Sequence, residues 1–77
     1  MQTTIQTIYE KSRIDLLDKF LELMLASNHL VAIEHHKSYL HGKLDTLLTE
    51  ALIAPDVYTE YSSKVENIYN QKKEELK

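Results

Sequence analysis

The chain has 77 residues, no cysteine, one glycine, one proline and a formal net charge of −3. That length holds one domain. The missing thiols exclude disulfides and thiolate metal sites, and the charge is too small for a DNA mimic and of the wrong sign for a general nucleic-acid binder. With 43% apolar and 27% charged residues the composition is that of a folded domain. One glycine and one proline cannot supply the turns of a small all-β protein, so the expected class is all-α.

In chain order, Thr3-x-x-Gln6 matches a capping box and opens helix 1, expected over about 4–26. Ile5, Tyr9, Leu16, Phe20 and Leu23 share one edge of this helix, and Ile14, Leu17, Leu21, Met24 and Leu25 widen it to roughly half the circumference. One neighbouring helix cannot cover an arc that wide, so helix 1 needs a neighbour on each flank or a dimer partner on one. Ser27-Asn28 is the small polar pair at which a turn is expected, either residue being a good helix cap. A single helix running on to Ile53 is the alternative, since neither glycine nor proline forces a break.

Helix 2 is expected over 29–53, with a narrower stripe of Leu30, Ile33, Leu40, Leu44, Leu47, Leu48 and Ala51. Lys37 falls inside that stripe, either as a snorkelling stem or as a cation reaching an acid on a partner. Gly42 lies mid-helix on the side of Ser38 and Asp45, where it costs up to about 1 kcal/mol against alanine. Ala54-Pro55-Asp56 ends helix 2 and opens helix 3, expected over 55–75, because proline suits a first helical turn and an acid suits its positive end. Val57, Tyr58, Tyr61, Val65, Ile68, Tyr69 and Leu76 share an arc of roughly 120°, and Glu60 and Lys64 form an i,i+4 pair. The expected architecture is a small antiparallel helical hairpin or three-helix bundle, as a dimer, because a core this small lacks any covalent staple.

No apolar run approaches the roughly 20 residues needed to span a bilayer. Met1-Gln2-Thr3-Thr4 lacks the basic region and apolar core of a secretory signal, so a cytoplasmic protein is the default. Chemistry fares no better. The acids are spaced as on solvated helix faces, the serines occupy helices or caps, and one glycine cannot build a phosphate loop. Neither a catalytic residue nor a cofactor is therefore expected. His29 and His36 share a flank of helix 2 about 10 Å apart along its axis, too far for one ion without a third element. A metal-linked assembly through these histidines is one alternative reading. A small helical DNA-binding regulator is another, but it is disfavoured by a single arginine and by the acids that offset the lysines of helix 3. His41-Gly42-Lys43-Leu44-Asp45 shares only Leu44 and Asp45 with the Ser-Gln-x-Leu-Asp signature of small helical-hairpin phosphatases of sporulating bacteria, and two residues carry no function over.

What remains is a small non-catalytic protein–protein interaction module: a regulator, adaptor, inhibitor or co-chaperone, with self-association expected. Five of the six aromatics are tyrosine, a residue that buries its ring, keeps its hydroxyl wet and is enriched at interfaces. The expected contact surface is Tyr58, Tyr61, Val65, Ile68 and Tyr69 on helix 3.

Overall fold

In the computed structural model, which describes residues 2–77 and the side chains from Glu10 onward, the chain forms three helices and, among the described residues, no strand. They are α1 (Gln2–Ala26), α2 (Leu30–Thr49) and α3 (Pro55–Glu75), packed up, down and up as a three-helix bundle. The Thr3–Gln6 capping box involves side chains outside the described residues.

The first reversal occupies residues 27–29, so the single long helix is not formed. Its physical cause lies in the positions that become core. Leu17, Leu21 and Met24 of α1 and Ile33, Leu40, Leu44 and Leu47 of α2 are all buried. At 100° per residue, the centres of these two stripes fall roughly 140° out of step on a continuous helix. A continuous helix would leave one stripe in water, and three non-helical residues reset the phase. The cap is not the one expected. His29, extended at φ −118 and ψ 125, stands at the N-cap without a side-chain cap hydrogen bond. Its carbonyl accepts from the Ile33 N–H at 3.0 Å.

Helix α2 ends at Thr49, four residues before the expected Ile53. Ala51 adopts the left-handed conformation at φ 58. Its N–H bonds the Leu48 carbonyl at 3.0 Å, and the Leu52 N–H reaches back to the Leu47 carbonyl at 2.8 Å. These are the two bonds of a Schellman stop, normally built on glycine. An alanine there leaves no compositional trace, which is why Pro55 attracts the assignment instead. The short connection also carries Ile53 into the core at 4% exposure. Pro55 opens the first turn of α3, where Asp56 accepts from the Val57 N–H at 3.1 Å.

The core is closed by Tyr61 and Val65 from α3, with Ile14, Phe20, Leu52, Val57, Tyr58, Ile68 and Tyr69 packed around it. Helix α1 spans about 38 Å at 1.5 Å per residue, and the molecule is 50 × 19 × 15 Å.

Two substitutions follow from this backbone. Ala51→Gly relieves a left-handed alanine, which costs about 1–2 kcal/mol, and should raise unfolding stability by about 0.5–1 kcal/mol after the extra chain entropy of glycine. A Cβ on Gly42 meets nothing within 4 Å, so Gly42→Ala should add up to about 1 kcal/mol through helix propensity. Urea unfolding of each variant measures both. A loss of stability in Ala51→Gly would refute the Schellman assignment.

Candidate interaction surface

The five tyrosine-arc candidates of α3 are placed within the chain's own packing. Val65 is fully buried and Tyr61 is 4% exposed. Tyr58, Ile68 and Tyr69 are half-buried against the same core. The reason is that α3 meets α2 and α1 along this arc, and its tyrosine hydroxyls and rings find partners inside the chain. The Tyr61 hydroxyl donates to Asp18 Oδ1 at 2.6 Å, which ties α3 to α1. The Tyr58 hydroxyl donates to Asp45 Oδ1 at 2.7 Å. Lys64 lies over the Tyr61 ring at 4.5 Å, and Lys37 over the Tyr69 ring at 3.9 Å. Tyr61 and Val65 therefore cannot belong to an open contact face, and alanine at Tyr61 would test the core rather than a surface.

The α2–α3 seam is clamped by Glu66, whose Oε2 lies 3.3 Å from Lys37 Nζ and 3.4 Å from His41 Nε2. This is the acid that Lys37 reaches, and it belongs to the same chain. Partial burial pushes the Glu66 carboxyl up, but the hydrogen bonds from His41 and Lys37 outweigh it and hold the group below the usual carboxylate value. Burial raises the Tyr61 phenol well above its ordinary value, and the bond to Asp18 adds to that. At the α2–α3 connection, Arg13 Nη1 donates to the Leu52 carbonyl at 3.2 Å. Lys64 pairs with Glu60 at 3.0 Å, as the i,i+4 spacing predicts.

The histidine candidates are not brought together. His29 is the exposed cap residue, and His36 lies half-buried on α2. Among the described residues, no group of three His, Cys, Asp or Glu converges as a metal site would require. No helix among them is long and apolar enough to cross a membrane.

Open apolar side chains are spread over the bundle, with Val31 on α2, Leu25 at the α1–α3 groove and Leu76 at the end of α3, and a contiguous group lies on α1 and the adjoining edge of α2. Leu16 is 43% exposed, Leu23 50% and Tyr39 50%. Leu16, Phe20 and Leu23 succeed one another at spacings of four and three, hence along one strip of the helix. The Tyr39 ring packs on Phe20 with centroids 4.8 Å apart, so the four residues form one continuous patch across the α1–α2 seam. Gly42 lies beside it, in a shallow depression lined by Ser38, Tyr39, Lys43 and Thr46. A second open groove between α1 and α3 is lined by Leu21, Leu25 and Ile68 with Asp18, Glu22 and Lys64. The signal for the patch is present in the sequence as the width of helix 1's apolar arc. What the arc does not reveal is which part the chain's own α2 and α3 cover. Comparison with family models, curated proteins and solved structures finds no match to this chain.

Two polar ties can be read by pH. Tyr61→Phe keeps the ring and removes the bond to Asp18, at an expected cost of about 1 kcal/mol at pH 7. Because the folded phenol is raised, its contribution is intact below about pH 10 and lost above it, so the wild type should lose stability at alkaline pH and the variant should lose less. Glu66 works in the opposite sense. Its lowered carboxyl contributes stability above the ordinary glutamate value and loses it as pH falls through the folded value. Glu66→Gln should therefore cost no more than about 1 kcal/mol at pH 7 for so exposed a cluster, and the gap to wild type should close below about pH 4. Thermal unfolding across pH 3–11 reads both profiles.

Proposed function

We propose that this chain is a small non-catalytic protein–protein interaction module, and that it presents the apolar edge of α1 and α2 rather than the tyrosine arc of α3. The observation that carries this reading is the patch of Leu16, Leu23 and Tyr39, left half-open around Phe20 at the edge of the core. Scattered exposed leucines need no explanation, but a contiguous strip that includes an exposed aromatic is the composition of a contact site. Tyr39 suits such a site, since its ring is held by Phe20 and loses little freedom on binding. A regulator, adaptor, inhibitor or co-chaperone works in this way, by occupying a surface on a larger protein.

Against nucleic-acid recognition stand three basic residues engaged within the chain. Arg13 is engaged at the Leu52 carbonyl, and Lys37 and Lys64 are paired with Glu66 and Glu60. Their charge is largely spent within the chain.

Affinity capture from native lysate tests the reading, with the wild type set beside Leu16→Lys/Leu23→Lys. Both sites are exposed, so circular dichroism and the unfolding midpoint should stay close to wild type. The specific proteins retained by the wild type should be lost from the variant. An unchanged set of captured proteins would refute the α1–α2 edge as the contact surface.

A further inference from the structure

We infer that residues 50–53 are a two-state hinge: when they complete α2 up to Ile53, α3 is released and exchanged with the α3 of a second copy, giving a domain-swapped dimer. The inference stands apart from the α1–α2 edge, and three observations support it.

The first is strain at the connection. Ala51 holds φ 58, a conformation that crowds its Cβ against the following carbonyl and is routinely left to glycine. Residues 48–54 contain neither glycine nor proline, and Leu48, Glu50, Ala51 and Leu52 are good helix formers. The local sequence favours the continued helix that the bundle denies it. A short hinge under that conflict invites exchange between copies.

The second is that the switch conserves hydrogen bonds. As folded, the Ala51 N–H donates to the Leu48 carbonyl and the Leu52 N–H to the Leu47 carbonyl. A continued helix re-pairs Ala51 with Leu47 and Leu52 with Leu48. It also gives the Thr49 and Glu50 carbonyls the N–H groups of Ile53 and Ala54. Pro55 bounds the change, because it has no N–H and because Ala54 before it is held extended, at φ −75 and ψ 152.

The third is the length of the connection. With α2 complete, only Ala54 separates the two helices, whereas antiparallel neighbours need a connection of about 2–5 residues. Helix α3 can then no longer return along its own chain. Its buried side chains, Tyr61 and Val65, find the surface that fits them on α1 and α2 of another copy. There Tyr61 meets Asp18, and Glu66 meets Lys37 and His41, as they do within one chain. Reciprocal exchange restores the packing outside the hinge. Two contacts hold the closed form: Arg13 Nη1 on the Leu52 carbonyl, and Ile53 in the core. They make the monomer the dilute form and the dimer the product of high concentration.

Refolding the full chain from urea at about 1 mM, then sizing it by light scattering after dilution, tests the exchange. A species of twice the 9.0 kDa chain mass should form and should persist on dilution, since it separates only by opening. The carbon chemical shifts of Ala51 should be left-handed in the monomer and helical in the dimer. Ala51→Gly relieves the closed form at both hinges and should lower the association constant at least about tenfold. Ala51→Val places a β-branched side chain on backbone that suits it least and should raise the constant. Monomer alone in both the wild type and Ala51→Val overturns the exchange. A dimer in which Ala51 is still left-handed overturns the hinge, and so does an Ala51→Gly chain that dimerises as readily as the wild type.

Discussion

A helix that carries one apolar stripe before residue 26 and another roughly 140° around it after residue 30 cannot remain continuous in water. This phase offset governs the fold. It requires a reversal within a few residues, which makes α1 and α2 neighbours and turns their buried faces toward a common axis. The Schellman stop at Ala51 then returns α3 along the remaining side. No covalent link assists, since the chain contains no cysteine. Each reversal is set by burial and backbone hydrogen bonding rather than by a specialised residue, and the first even lacks a side-chain cap.

Polar groups define the seams that burial alone would leave free to slide. Asp18 and Tyr61 register α1 against α3. The α2–α3 seam is registered by Asp45 with Tyr58 and by Glu66 with Lys37 and His41. These exposed or half-exposed pairs add little energy individually, but a displaced register would leave the Tyr61 hydroxyl without its acceptor in a nearly closed site, at a cost of about 1–3 kcal/mol. The α1–α2 seam differs in character. It is closed by two aromatic rings, Phe20 and Tyr39, with leucines on either side.

Helix existence and type were legible throughout, because periodicity over twenty residues dominates local noise. The start of α3 was legible from Pro55 and Asp56, whereas the offset between the α1 and α2 stripes emerges only once the buried part of helix 1's wide arc is known. The early end of α2 was not legible, since Ala51 in a left-handed conformation resembles any helical alanine. The tyrosine arc of α3 is legible as an amphipathic face, but not that Tyr61 and Val65 are buried within the chain itself. A helical wheel tells which residues leave water, and cannot tell whether the surface receiving them belongs to the same chain. Tyrosine deepens that ambiguity, because a hydroxyl bonded to Asp18 inside the bundle and one bonded across an interface leave the same trace in sequence.

The distribution of leucine bears on the same ambiguity. In a three-helix bundle each helix meets two neighbours, and α1 spends Leu17, Leu21 and Met24 on them. Its arc continues past this contact to Phe20, which packs against the edge of the core, and to Leu16 and Leu23, which lie outside it. Full burial of a leucine is worth about 1.5–3 kcal/mol, and Leu16 and Leu23 remain 43% and 50% exposed, so part of that stabilisation is still unrealised in the single chain. Two such leucines flanking an ordered aromatic pair hold a favourable free energy that only a further apolar surface can release.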